Sequence, residues 1–168
     1  MSHAAPWTTT RLEEVVAFVS GGTPSKSRTD YWGHDVPWIT ARDMHSARVS
    51  RTTHELTSEG ARASRVMPRG TVFILTRGMM LLRRVPVVVN ELPSAFNQDV
   101  KALIADEAHV HGGFLALLLE YHQPNLLNRV SIAGHGTGRL DTGELGDLAV
   151  RLPLLEEQWQ IAEILGTW

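Results

Sequence analysis

The sequence predicts an α+β fold: a mixed, twisted β-sheet with short flanking helices and one further helix at the C-terminus. Three observations predict it. Short runs rich in β-branched residues (36–40, 71–76 and 85–89) are punctuated by proline or glycine, as strands are. Apolar residues recur at helical spacing at Phe114, Leu117, Leu118 and Tyr121, and again through Leu155, Trp159, Ala162 and Leu165. With 168 residues, 43% hydrophobic and 20% charged, the chain has the size and composition of one globular domain, and it contains no internal repeat.

Each element has a local reason. Thr10-Arg-Leu-Glu13 has capping-box spacing, and Leu12, Val15, Val16 and Val19 form one stripe, so a short first helix is expected up to Ser20. Ser20-Gly-Gly-Thr-Pro-Ser25 breaks it and begins a polar loop reaching Gly33. Val36-Pro-Trp-Ile-Thr40 reads as a buried strand followed by a turn at Arg42-Asp43. A further strand is expected within Arg48 to Leu56. Met67-Pro-Arg-Gly70 is a turn, and Thr71 to Thr76 a strand. Val85 to Val89 shows no polar alternation and should be buried on both faces. Between those two strands, Arg77-Gly-Met-Met-Leu-Leu-Arg-Arg84 has no clear periodicity. Asp99 to Ile104 is another strand. Gly112-Gly113 opens a helix closed by Pro124, a second short helix runs on to about Ile132, and Gly134-His-Gly-Thr-Gly138 is a flexible loop. After a strand from Leu148 to Leu152 comes the last helix, which has no stop signal.

Composition narrows the function. There are no cysteines, which removes disulfides, thiolate nucleophiles and Cys-type zinc sites. No run of about 18 apolar residues exists, and Met1 to Thr10 lacks the pattern of a signal peptide. A cytoplasmic protein is expected. The net charge of −2 conceals a division: −1 from Met1 to Ala41, +6 from Arg42 to Asn90, and −7 from Glu91 to Trp168. All nine central cations are arginines: Arg42, Arg48, Arg51, Arg62, Arg65, Arg69, Arg77, Arg83 and Arg84. A guanidinium offers a planar fork of donors suited to phosphates and guanine edges, so this block is a candidate nucleic-acid face. The competing reading is a compositional bias, since the chain has 14 Arg and 2 Lys.

A series of short motifs occurs in an order that resembles a known family. They begin with Trp7 and Leu12-Glu-Glu-Val15, then Gly21-Gly-Thr-Pro-Ser25, Tyr31-Trp32 and Val36-Pro-Trp-Ile-Thr40 leading to Asp43. Pro68-x-Gly-Thr71, Arg77-Gly78, Asn97-Gln-Asp99 and Gly136-Thr-Gly138 follow. Leu152-Pro-x-Leu155-x-Glu-Gln158 with Ile161-Ala162 closes the series. The pattern resembles the target-recognition domain of the DNA specificity subunit of type I restriction-modification enzymes. Two positions depart from it: Met79-Met-Leu-Leu-Arg-Arg84 lacks a second glycine, and Leu154 stands where a second proline is usual.

The resemblance implies a noncatalytic recognition domain over residues 1–152 and, over 153–168, the start of a long spacer helix. It implies double-stranded DNA as ligand, and as partners a methyltransferase subunit, a restriction subunit and a second recognition domain or second copy. S-adenosylmethionine, ATP and Mg would belong to those partner subunits, with no cofactor in this chain. The helix residues Leu155, Gln158, Trp159, Ala162 and Leu165 would form a subunit interface. The chain would be a half-subunit, a truncated gene product or an excised domain.

The residues themselves point to DNA contact in loops. Thr23, Ser25, Lys26, Ser27 and Arg28 place five donors in one polar loop, and Arg77, Arg83 and Arg84 bracket another. Arg42, Gln98, Lys101 and Arg139 complete the candidate set. Asn97 and Gln98 are of the residue types that pair with adenine, although amides satisfying loop backbone are the commoner arrangement. For Arg139 a salt bridge to Asp141 or Glu144 competes with DNA. Trp32 and Trp38 are expected in the core. The rival chemistries are a Mg-dependent nuclease using Glu91 with Asp99-x-Lys101, and a non-DNA scaffold. Scattered histidines make no metal motif, and no Gly-x-Ser-x-Gly elbow occurs.

Overall fold

The computed structural model describes residues 7–166, so both ends of the expected segments, 1–6 and 167–168, lie outside the described residues. The strands of the first half are β1 (Thr8–Arg11), β2 (Val16–Ser20), β3 (Trp32–Gly33), β4 (Val36–Ile39), β5 (Arg48–Val49), β6 (Glu55–Leu56), β7 (Val66–Met67) and β8 (Val72–Leu75), with the α-helix α1 (Ser58–Arg62) between β6 and β7. Strands β9 (Arg77–Gly78), β10 (Val87–Asn90), β11 (Ser94–Phe96) and β12 (Val100–Ala105) lead to α2 (Gly112–Tyr121) and α3 (Gln123–Asn128). The chain closes with β13 (Ser131–Ile132), β14 (Gly138–Arg139), α4 (Thr142–Gly146), β15 (Ala149–Leu152) and α5 (Leu155–Leu165).

The α+β class is as expected, but the β structure is divided. One five-stranded sheet has the order β2-β12-β8-β10-β5 and a second the order β3-β6-β4-β11-β7, with a β1-β15 ribbon and a three-stranded β13-β14-β9 sheet beside them. Both large sheets are mixed: β10 runs parallel to β5 and β11 parallel to β4, while their other pairings are antiparallel. The main core is built on the first sheet. Phe73, Ile74, Leu75, Val88 and Leu103 pack there with Phe114, Leu115, Leu118 and Leu119 of α2, all buried. Each such side chain contributes about 2 kcal/mol by leaving water. A smaller cluster of Trp38, Leu56 and Ala95 serves the second sheet, and the Phe73 and Phe96 rings, 5.1 Å apart, join the two.

Four expectations are corrected. The first helix is a single 3-10 turn, Leu12–Glu14, and the rest of its stripe is β2. Val16 to Ser20 pairs antiparallel with Ala105 to Lys101, a distant partner that β-branched residues accept more readily than a helix. The Arg48 to Leu56 segment holds two short strands on different sheets. In α2 the buried rows are Phe114, Leu115, Leu118 and Leu119, whereas Tyr121 is 81% exposed beyond the sheet. The helix after Pro124 ends at Asn128, because Ser131 and Ile132 pair with β14 instead. The undecided 77–84 stretch is strand β9 followed by the 3-10 turn Met79–Leu82.

The fifth correction concerns α5. Gln158, expected at a subunit interface, is fully buried inside this chain. Its Oε1 accepts from the His111 amide at 2.9 Å, and its Nε2 donates to the carbonyls of His109 at 2.9 Å and Pro153 at 3.0 Å. Ile161 and Ala162 pack against the main core, and Leu155 is half-buried. Only part of the expected seam remains outward, with Trp159 60% and Leu165 48% exposed. The seam therefore serves the domain first. Gln158→Leu should strand three buried backbone groups and cost about 3 kcal/mol, lowering Tm by on the order of 9 °C; thermal unfolding with unchanged Tm would show that the amide network does not hold α5.

Candidate nucleic-acid interface

The register of the first sheet brings distant loops to one end. Lys101 lies opposite Ser20, Val100 opposite Leu75 and Val87 opposite Ile74, so β2 and β8 finish where β12 and β10 begin. Loops 21–28, 97–99 and 76–86 therefore leave from the same edge. Strand β9 adds a fourth: Gly78 and Arg77 pair with Gly138 and Arg139, and Leu140 N donates to Thr76 O at 2.9 Å. Gly138 is required there, since a Cβ would meet Leu81 Cβ at 2.6 Å.

The loop backbones are tied down from within the protein. Asn97 is buried; its Oδ1 accepts from Asp99 N at 3.1 Å, and its own amide donates to Ile39 O at 3.0 Å. Asp99 O accepts from Thr76 N at 2.8 Å and Thr76 Oγ1 at 2.9 Å. The Trp38 indole donates to Gly22 O at 3.1 Å and the Trp32 indole to Ser25 O at 3.2 Å, with the two rings edge to face at 5.0 Å. Core tryptophans were expected; their role as tethers of the 21–25 loop was not, and the only sequence signal is their recurrence beside it. Asp43 is also structural. Its Oδ1 accepts from Thr53 N at 2.7 Å and Thr53 Oγ1 at 2.8 Å, and its Oδ2 accepts from Thr40 N at 2.9 Å and Thr40 Oγ1 at 2.8 Å.

The candidate residues divide by partner. Lys26, Arg42, Arg77 and Arg83 are exposed, and their side chains have no hydrogen-bond or ionic partner among the described residues. Arg28, Arg84 and Arg139 are paired: Arg28 binds Asp30 through Nε at 2.9 Å and Nη2 at 2.6 Å, Arg84 binds Glu120 at 2.8 Å, and Arg139 binds Asp141 at 2.6 Å. Asp30 pushes the Arg28 pKa up, and Arg28 in turn holds the Asp30 carboxyl below its ordinary range. Thr23 Oγ1 donates to Gln98 Oε1 at 2.6 Å, the Ser25 and Ser27 hydroxyls are 2.8 Å apart, and Lys101 Nζ donates to Ser20 Oγ at 2.5 Å. Arg42 follows β4, which runs alongside β11 toward the same end.

Arg77 stands directly across from Arg139 on antiparallel strands, an arrangement of like charges that is unfavourable without an anion nearby. Asp141 offsets Arg139, and Arg77 is left exposed. Arg65, outside the candidate set, joins the group by donating to Ser20 O at 3.4 Å. Arg69 does not, because it lies at the turn before β8, at the far end of the sheet. Glu91 lies there too, beyond Asn90, whose amide donates to Thr71 O; Asp99 sits beside Thr76, about 17 Å of strand away. The nuclease reading fails on that separation.

The type I restriction modification DNA specificity domain model matches residues 5–167 of the chain. The chain belongs to this family. A specificity subunit of the type I restriction enzyme EcoR124I/EcoR124II of Escherichia coli is 26% identical over 157 residues, covering 92% of this chain and 39% of that protein. The MjaIX specificity subunit of Methanocaldococcus jannaschii is 25% identical over 165 residues, covering 95% of this chain and 37% of the relative. In fold, the specificity domain superposes on the HsdS subunit of Thermoanaerobacter tengcongensis with a TM-score of 0.69 and 20% identity, over 99% of this chain and 38% of that one. It thus spans under two fifths of the length of these relatives.

Adjacent glycines of the 21–28 loop provide a test of its docking in this specificity domain. A Cβ on Gly21 would meet Phe96 O at 2.3 Å and Asn97 O at 2.5 Å, whereas at Gly22 nothing lies within 4 Å. Gly21→Ala should destabilise by about 2 kcal/mol and Gly22→Ala by a few tenths at most, measured by urea unfolding; equal effects would show that the loop does not press on β11.

Proposed function

We propose that this chain recognises double-stranded DNA sequence-specifically, as a recognition unit of a type I restriction-modification specificity subunit. The observation that carries the proposal is the convergence of four loops on one sheet end, where Lys26, Arg77 and Arg83 lack carboxylate partners among the described residues. Duplex readout needs phosphate donors that fix register and polar side chains that reach base edges. The cations serve the first need; Ser25, Ser27 and Gln98, the last bonded to Thr23, serve the second. The paired Arg28, Arg84 and Arg139 keep their forks oriented by carboxylates.

The chain's part is noncatalytic. It directs a methyltransferase subunit, and through the complex a restriction subunit, to the target in the cytoplasm, and those subunits bring S-adenosylmethionine, ATP and Mg. No helix among the described residues is long and apolar enough to cross a membrane. The segment 153–168 begins the spacer between recognition units, and its exposed Trp159 and Leu165 face a second recognition unit or second copy.

Lys26→Ala and Arg83→Ala should each weaken duplex binding several-fold for all sequences and reduce the slope of log K against log salt by about 1. Arg84→Ala should do less, because Glu120 already offsets that charge. Fluorescence anisotropy at several salt concentrations reads both quantities; an unchanged affinity and slope in the first two variants would overturn the assignment. For the helix, weak concentration-dependent self-association is expected by sedimentation, abolished by Trp159→Glu with Leu165→Glu. A monomer at all concentrations in both forms would remove α5 as an association surface.

A further inference from the structure

We infer that Gln98 reads a base edge as a hydrogen-bond donor and that Thr23 is the positioning residue that fixes its amide. This rests on the DNA-recognition reading above and adds to it the atom and the base chemistry. Gln98 is exposed at the tip of the 97–99 loop, while its neighbours on both sides are fixed: Asn97 is buried and bonded to Ile39 and Asp99, and Asp99 O is held twice by Thr76. The backbone that carries Gln98 is therefore rigid. Among the described residues its side chain has one partner, the Thr23 hydroxyl, which donates to Oε1 at 2.6 Å.

Thr23 is itself held in place. Gly22 N donates to Phe96 O at 2.9 Å, Gly22 O accepts from the Trp38 indole, and Pro24 is buried. A fixed hydroxyl donating to Oε1 orients the planar amide, drawing the oxygen toward the protein and leaving both Nε2 hydrogens without a partner among the described residues. A free glutamine pairs with adenine by using donor and acceptor together. Here Oε1 is turned toward Thr23, which occupies one of its two lone pairs, and the group left to face a ligand is the donor pair. Such a group matches edges that present only acceptors, of which guanine N7 and O6 in the major groove are the best placed. Because loop and amide are ordered before binding, little entropy is lost when the contact forms.

The test is selection of bound duplexes from a randomised library by the full 168-residue chain, followed by affinities for the selected site and its single-base variants. The selected site should contain a position at which guanine is preferred by about tenfold. Gln98→Met should abolish preference at that one position while leaving the other positions and the salt slope unchanged. Thr23→Val should flatten the same position, and Thr23→Ser, which keeps the hydroxyl, should restore it. Thermal unfolding of each variant near that of the parent chain establishes that the fold is kept. A Gln98→Met profile identical to the parent, or a uniform loss at all sequences with a reduced salt slope, would overturn the inference alone. Absence of any sequence preference in the parent chain would overturn the recognition reading and this inference with it.

Discussion

The pairing of β12 on both of its edges governs the rest of the structure. It lies between β2 and β8, bonded to one from Ser20 to Val16 and to the other from Leu75 to Val72. A strand paired on both edges has its register specified twice, and a one-residue slip would turn Ala102 and Val100 out of the core. Because that register is fixed, so is the place where β2 ends, where β8 ends and where the Asn97-Gln98-Asp99 loop enters. The four loops meet because of strand pairing; no direct attraction among them is needed.

Charge within the loop cluster is arranged by selective neutralisation. Arg83 and Arg84 are neighbours in sequence, yet α2 presents Glu120 to only one of them. Arg77 and Arg139 face each other across β9 and β14, and Asp141 engages only Arg139. All of these ion pairs are solvent-exposed and worth little for stability, typically below about 1 kcal/mol. Their effect is local: they decide which guanidinium forks are held by a carboxylate and which are exposed without a partner among the described residues.

How far the sequence revealed this depends on the range of the interactions. Strands 36–39, 72–75 and 87–90 were legible because uninterrupted apolar and β-branched residues between turn formers have few other uses. The 97–99 loop and the Arg77 region were legible as motifs. The first helix was misread because Thr10, Glu13 and the Leu12 stripe are local signals, whereas the pairing of β2 with residues 101–105 lies some 85 positions away. The same blindness applies to Gln158. At helical spacing on an apolar stripe it looks like an interface residue, and only the fold shows three backbone groups of the 109–111 and 153 segments converging on it. Summed charge was readable, and so was a carboxylate partner for Arg139, Asp141 being two residues away; the Arg84–Glu120 pair was not, since Glu120 acquires its role only by packing across 36 positions.

The tethers of the 21–28 loop act on backbone carbonyls. Gly22 O and Ser25 O are held by indole N–H groups, while the side chains of Ser25, Lys26 and Ser27 point outward and contribute nothing to the core. Folding stability and ligand discrimination thus reside on different atoms of the same short segment. Exchanging the outward side chains alters what the loop can bind without asking the rest of the domain to refold, so a new preference can be acquired in single substitutions, each of them nearly neutral for the scaffold that displays it.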